Sequence, residues 1–242
     1  MTIGQKRTQA HTPGISVVTC TSKPSFLRVM LNNYERQRWG NKEWIVVVNN
    51  DKADLSRYQQ LAARLKHVRV YRLPSRYTLG SCLNFASALA KHSYIAKMDD
   101  DEYYAPNYLT DMMRAFRKSG ADVVGKRAYF IHLSGKSLLI QRFFTQNRFV
   151  SILAGGTLVY KKSVWKRVKF SNHSLGEDVT FCRACRRKGY KLYAGNFYNF
   201  CALRRKQSNS HTWKKTDQEF LSHPQTRIIA RGNNYKKYVV RS

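Results

Sequence analysis

Acidic residues are scarce in this chain: 14 Asp and Glu stand against 44 Lys and Arg in 242 residues, a formal net charge of +30. Proline is rare, with 5 in all, and the 5 cysteines are an odd number spread thinly along the length. That spread excludes the dense disulfide framework that staples small secreted domains, and Cys20, Cys82, Cys182, Cys185 and Cys201 are read as reduced thiols. Cys182 and Cys185 form a C-x-x-C, but no second pair stands at zinc-finger spacing, and Arg183, Arg186 and Arg187 beside them suggest a basic helix. No apolar run approaches the roughly 18 residues that a membrane span needs. The stretch from Met1 to Pro13 lacks the apolar centre of a secretory signal, so the expected location is cytoplasmic.

What is present is enough apolar material for a core. Hydrophobic residues make up 43% of the chain, with 15 Tyr, 12 Phe and 4 Trp, which excludes intrinsic disorder for most of the length despite the charge. The length suits one domain. The charge points to a polyanionic partner, whether nucleic acid, an anionic membrane surface or a phosphorylated substrate, and composition does not choose among them. The few acids therefore carry the information. Four form the run Asp99-Asp100-Asp101-Glu102, and two more form Glu177-Asp178.

Apolar patterning predicts alternating strands and helices over the first hundred residues. Ile15–Cys20, Trp44–Val48, Val68–Tyr71 and Tyr94–Met98 read as strands, and Ser25–Arg38, Leu55–Leu65 and Gly80–His92 as helices. Such alternation predicts an α/β fold with right-handed β-α-β units on a mainly parallel sheet, and ligands then sit beyond the carboxyl ends of the strands. Further on, Asn107–Lys118 reads as a helix, Asp122–Gly125 as a strand and Ala128–Leu133 as an alternating segment. Phe149–Tyr160 is strand-like apart from Gly155-Gly156, and Glu177–Lys188 is a helix ended by Gly189. No internal repeat or dividing linker is evident. The expected organisation is a flexible polar leader over 1–14, one domain over 15–215, and a basic C-terminal segment over 216–242.

The acidic run follows a strand directly. In extended conformation Asp99 and Asp101 share a face and Asp100 points away, and two carboxylates on one side suit a hard divalent ion such as Mg²⁺ or Mn²⁺. A solvated acidic loop or an N-cap for the helix near Pro106 is the plainer alternative. Glu177-Asp178 opens a helix, where acids also serve the dipole and the orphan amides. Its place after Gly176, and downstream of Gly155-Gly156, gives it interest beyond that.

These pieces, in this order, resemble a family-2 glycosyltransferase of the GT-A fold over about residues 14–215. They are the opening strand with Thr19, the Asn49-Asn50-Asp51 turn, Gly80-x-x-x-Asn84, Asp99-x-Asp101, Gly155-Gly156, Gly176-Glu177-Asp178 and the downstream His211. More narrowly, the chain resembles small bacterial enzymes of spore-surface or cell-envelope polysaccharide synthesis. The resemblance implies a nucleotide-binding half over 15–105 and an acceptor half, with a small antiparallel portion, over 106–215.

It further implies that Asp101 ligates a Mn²⁺ or Mg²⁺ ion holding the donor's diphosphate, with Asp99 beside the sugar or ribose and His211 completing the coordination. Thr19, Thr21, Asn50, Arg76, Gly80, Asn84, Asp99 and Asp100 would form the nucleotide pocket. Where the family commonly has Asp at the second turn, this chain has Asn49 and Asn50, so a base contact survives while the identity of the base is open. Asp178 matches the catalytic base of a single inverting displacement, with Glu177 positioning it or the acceptor and Gly155-Gly156 leaving room for the acceptor. Arg204, Arg205 and Lys206 would neutralise the departing diphosphate, or form a solvated basic loop. Trp165 and Trp213 would stack on sugar or pack in the core.

The implied partners are a nucleotide-sugar donor, UDP- or dTDP-linked, and a saccharide or lipid-linked acceptor. The basic surface suits peripheral attachment to the anionic inner face of a membrane. Two other classes remain in view. A nucleic-acid-binding module would need a focused basic and aromatic surface, whereas here the charge is dispersed and the acids lie at strand ends, so no specific nucleic acid is expected. A sugar nucleotidyltransferase would need a Gly-rich phosphate loop after the first strand, and Thr19–Pro24 contains no glycine.

Overall fold

The computed structural model describes residues 12–205 and 215–242. Lys206, His211 and Trp213 lie outside the described residues.

The β-branched runs form strands where the sequence predicts them. β1 (Ile15–Thr21), β2 (Lys42–Val48), β3 (Val68–Arg72) and β4 (Tyr94–Lys97) are mutually parallel and ordered β3-β2-β1-β4. Between them run α1 (Leu27–Glu35), α2 (Leu55–Arg64) and α3 (Leu79–Leu89). Pro24–Phe26 is a separate 3₁₀ turn, so α1 starts later than predicted: proline presets a tight first turn but cannot donate to the ladder. The side chains of Asp54 and Thr78 accept from the Ser56 and Ser81 amides and so cap α2 and α3.

β1, β2 and β4 are buried on both faces, and their alternate residues feed two cores. Val17, Trp44, Val46, Val48 and Ala96 pack with Met30 and Tyr34 of α1, Tyr58 of α2, and Leu109 and Met112 of α4 (Tyr108–Ser119). Val18, Ile45, Val47 and Ile95 pack with Cys82, Leu83 and Ala86 of α3, and with α5 (Lys162–Arg167) and α6 (Glu177–Arg187). Two layers of helix thus clamp one sheet. Cys182 and Cys185 pack in the second core, where burial pushes both thiols up to about 12. Trp165 is also core, and its indole N–H donates to Asn84.

Four short strands extend the first sheet beyond β4. β10 (Val159–Lys161) runs antiparallel between β4 and β6 (Val123–Gly125), and β11 (Leu192–Ala194) pairs parallel with β6 and antiparallel with β9 (Arg148–Phe149). The strand read over Phe149–Tyr160 is therefore two strands separated by a 3₁₀ turn at Gly155–Thr157, which takes the backbone around Asp178 and Asp99. A second sheet, ordered β13-β8-β7-β12-β5, comprises β5 (Tyr103–Tyr104), β7 (Tyr129–Leu133), β8 (Leu138–Arg142), β12 (Phe200–Arg204) and β13 (Thr226–Arg231). Its one parallel pair is β7–β12.

The basic segment beyond 215 packs on this sheet and adds one strand to it. β13 pairs with β8, Phe220 of α7 (Asp217–Leu221) is fully buried, and the Val239 carbonyl of α8 (Lys236–Val239) accepts from the Asn199 amide at 2.8 Å.

Candidate active site

The ends of β1, β2 and β3 are tied into one rim. Asn49 Nδ2 donates to the Pro74 carbonyl (2.6 Å), Asn50 Nδ2 to the Ser22 carbonyl (2.8 Å), and Asp51 accepts from Ser75. Asn50 Oδ1 also accepts from the Lys52 amide at 2.8 Å, so the side chain expected to meet a base is engaged in folding its own loop. Thr21 Oγ1 donates to Asp100 Oδ2 at 2.5 Å, which joins this rim to the acidic run and turns Asp100 away from its neighbours.

The acidic run itself is a turn, since β4 ends at Lys97. The expected division still appears: Asp99 and Asp101 line a cleft of about 560 Å³, and Asp100 does not. The Lys97 ammonium, 3% exposed, pairs with Asp99 Oδ1. Burial opposes that charge, and Asp99 together with Glu177 more than restores it, so Lys97 stays firmly protonated. Arg205 Nη2 donates to the Asp101 carbonyl at 2.9 Å and Nη1 lies 3.5 Å from Asp101 Oδ2. Glu102 accepts from the Leu203 amide at 2.5 Å. Burial, and then the neighbouring negative charge, raises the carboxyl groups of Asp101 and Glu102, and Asp100 reaches about 7 by the same causes.

Glycines set the approach of the second acidic pair. A Cβ on Gly155 would overlap the Asp178 carboxylate, and one on Gly156 would lie 2.8 Å from Asp99 Oδ2. The Gly156 carbonyl accepts from Tyr104 Oη, which in turn accepts from the Asp99 amide. Gly176, at φ +79°, makes the left-handed turn that starts α6 with Glu177 and Asp178 facing the cleft. Burial, then the Asp178 charge, pushes Glu177 up to about 7, with Lys97 pulling the other way.

One cleft thus gathers Asp99, Asp101, Gly155, Gly156, Glu177, Asp178 and Arg204 of the expected site. Others fall outside its lining. Thr19 is buried and accepts from the Trp44 indole at 3.0 Å. Asn84 holds the Phe170 carbonyl, the Phe170 amide and the Trp165 indole at 2.9–3.1 Å. Gly80 makes room for the Ser171 backbone, which a Cβ would overlap. Asn84 and Gly80, expected at the nucleotide, thus contact the segment 170–173. Arg76 is exposed, over the Tyr77 ring. Arg204 and Arg205 are at least half-buried, so neither belongs to a solvated loop.

Lys97, Arg127, Tyr129, Arg142 and Phe143 line the cleft without having been singled out from the sequence. A lysine ending an apolar strand is a signal in itself, because an unpaired ammonium is rarely buried. The others occupy β7, β8 and their flanks, where no spacing marks them.

The model of glycosyl transferase family 2 matches residues 15–206. The chain belongs to that family. The fold agrees with solved glycosyltransferase structures. S. aureus TarS 1–349 in complex with UDP-GlcNAc is 20% identical at a TM-score of 0.59, over 80% of this chain and 59% of that one. The mannosyltransferase PcManGT from Pyrobaculum calidifontis, in complex with GDP-Man and Mn²⁺, is 14% identical at a TM-score of 0.62, over 82% and 59%. The family-2 chain described here therefore spans about 59% of the length of those structures. No curated protein matches it.

For a divalent cation the donor chemistry fits. Asp99 and Asp101 give oxygen ligands in a cleft where negative charge is incompletely compensated. Among the described residues no group of three or more His, Cys, Asp or Glu side chains converges, so phosphate and water oxygens would have to complete the shell.

Proposed function

We propose that this family-2 glycosyltransferase moves a sugar from a nucleoside-diphosphate donor to an acceptor hydroxyl in one inverting displacement. The observation that carries the reading is the Gly155-Gly156 turn, which lets the carboxylates of Asp178 and Asp99 approach the same stretch of backbone in one cleft. Asp178 takes the proton of the acceptor hydroxyl as that oxygen bonds to the anomeric carbon. The bond from that carbon to the diphosphate breaks, and its electron pair leaves with the nucleotide. Glu177, half-neutral near pH 7, orients Asp178 or the acceptor. Lys97 holds Asp99 in place, while Arg205 meets the charge that develops on the leaving group.

Asp101 and Asp99 would hold Mn²⁺ or Mg²⁺, whose contribution is to neutralise the diphosphate. The nucleoside belongs on the rim formed by Thr21, Asn50 and Asp100, with Arg76 at its outer edge. A UDP- or dTDP-linked donor is the reading from sequence, and among the structural neighbours TarS holds UDP-GlcNAc and PcManGT holds GDP-Man with Mn²⁺. The acceptor is a saccharide or lipid-linked saccharide of the bacterial envelope or spore surface. Among the described residues no helix is long and apolar enough to cross a membrane, and the +30 charge suits a peripheral position on an anionic leaflet.

The test is a thermal-shift panel of UDP, dTDP, GDP, CDP and ADP, each with and without Mn²⁺ or Mg²⁺, on the wild type and Asp101→Ala. One nucleotide should stabilise the wild type only with metal, by several degrees at a hundredfold excess over Kd, and lose that effect in the variant. Stabilisation by single-stranded DNA or RNA and by no nucleotide would overturn the reading.

A further inference from the structure

The second sheet brings three arginines into the cleft that the displacement mechanism does not require together. Arg127 lies just before β7, Arg142 ends β8 and Arg204 ends β12, and all three line the cavity. They are stacked rather than splayed. Arg127 and Arg142 share the ring of Phe143, at 3.7 and 4.7 Å from its centroid, and Arg142 and Arg204 share the ring of Phe220, at 5.1 and 5.3 Å. Arg142 is 4% exposed and Arg204 9%. Phe143 adopts φ +57°, a conformation costly for a bulky residue and kept only where the surroundings impose it. Burial pushes Arg127 below the ordinary guanidinium range, and the charge of Arg142 adds to this.

Like charges gathered on aromatic faces at a cavity wall suit a multivalent oxyanion. A guanidinium presents its N–H groups in a planar fork, and the rings hold Arg127 and Arg142 in orientation, while Arg204 Nη2 also donates to the Lys215 carbonyl. A single carboxylate is satisfied by one such fork, whereas a phosphate ester has oxygens for several. Location separates this wall from the donor's diphosphate, which the reading above gives to the first sheet at Asp99 and Asp101. Tyr129, paired with Arg142 across the β7–β8 hairpin, is close enough to Asp178 to feel its charge.

We propose that Arg127, Arg142 and Arg204, stacked on Phe143 and Phe220, form a subsite for a phosphate ester carried by the acceptor. The proposal rests on the reading of the cleft as a glycosyltransferase site and adds to it the chemical class of the acceptor.

The probe is sn-glycerol 3-phosphate, the smallest polyol bearing such a group, with glycerol as its neutral control. Both are measured by thermal shift on the full chain, with and without a saturating nucleoside diphosphate and Mn²⁺. Glycerol 3-phosphate should stabilise at millimolar concentration, glycerol at that concentration should not, and the shift should add to that of the nucleotide. Arg127→Gln should weaken the phosphate effect about tenfold or more, with Arg127→Lys recovering part of it. Arg127 is half-buried, so the unliganded melting temperature and near-UV circular dichroism of both variants establish that they fold.

Equal shifts from glycerol would overturn the proposal, as would an unchanged response in a folded Arg127→Gln protein. Competition between nucleotide and glycerol 3-phosphate would also overturn it, because the arginines would then serve the donor. If glycerol 3-phosphate binds and no nucleotide does, the glycosyltransferase reading fails while the anion subsite stands. Dihexanoyl phosphatidylglycerol below its micellar concentration separates the two sources of the phosphate. Binding of this lipid alone, lost in Arg127→Gln, puts the ester on a lipid, and binding of glycerol 3-phosphate puts it on a soluble polyol.

Discussion

Asp178 can face the cleft only because Gly155 carries no side chain, and that dependence makes its role measurable. Asp178→Asn keeps the shape and removes the base, so turnover should fall about 10²–10⁴-fold while nucleotide-dependent stabilisation persists. Turnover equal to the wild type would remove Asp178 from the chemistry. Glu177 offers a second test, because its folded-state pKa of about 7 lies above the ordinary carboxylate range. A raised carboxyl stabilises the fold fully below its unfolded pKa, and that contribution is lost as pH rises through about 7. Between pH 6 and 8 the wild type should therefore lose more stability than Glu177→Gln, by at most about 1.4 kcal/mol per pH unit for this proton. Asp100 and Lys126 titrate near the same pH, so the difference between the two proteins, from urea titrations at each pH, is the readout. A slope unchanged by the substitution would mean that Glu177 is ionised throughout. Asp99, Asp101, Glu177 and Asp178 were legible in the sequence because acids are rare in it. Arg127 and Arg142 were not, since among 44 basic residues no single arginine stands out until the sheet brings it to a cavity.

At the scale of elements, legibility follows sequence distance. β1 to β4 and their helices are each specified by a local apolar run and a cap or turn, so periodicity finds them. The turn at Gly155–Thr157 and the strand β13 are specified by partners far along the chain, namely the Asp99 and Asp178 carboxylates and β8, which no window of residues contains. The segment 170–173 was missed for the same reason, and with it the work of Asn84. That side chain joins α3 to Trp165 and Phe170 by three hydrogen bonds. Removing it leaves a buried indole N–H and a backbone amide without their acceptor. Asn84→Ala should thus lower stability by about 2–4 kcal/mol in a urea titration, with the order of preference among the five nucleoside diphosphates unchanged. A changed preference at unchanged stability would return Asn84 to the nucleotide pocket.

For the whole molecule, the balance of charge is what the proposed peripheral position on a membrane rests on. With 14 acids against 44 basic residues, most cations cannot be paired within the chain. Several acids are already held: Glu43 by Arg69, Asp99 by Lys97, Asp111 by Arg114 and Asp122 by Lys161. The remaining positive field is directed at whatever lies outside. Each basic group near an anionic leaflet gains about 1 kcal/mol, so a handful acting together would hold the protein without any inserted helix. Such attraction is screened, over about 10 Å at 0.1 M salt and about 3 Å at 1 M. In a flotation assay the protein should rise with phosphatidylglycerol-containing vesicles at 0.1 M salt, stay behind at 1 M, and ignore vesicles of phosphatidylcholine alone at both. Because this attraction comes from the whole surface, Arg127→Gln should float like the wild type, which separates it from the single subsite in the cleft. Failure to float on anionic vesicles at 0.1 M salt would confine the role of the charge to substrates.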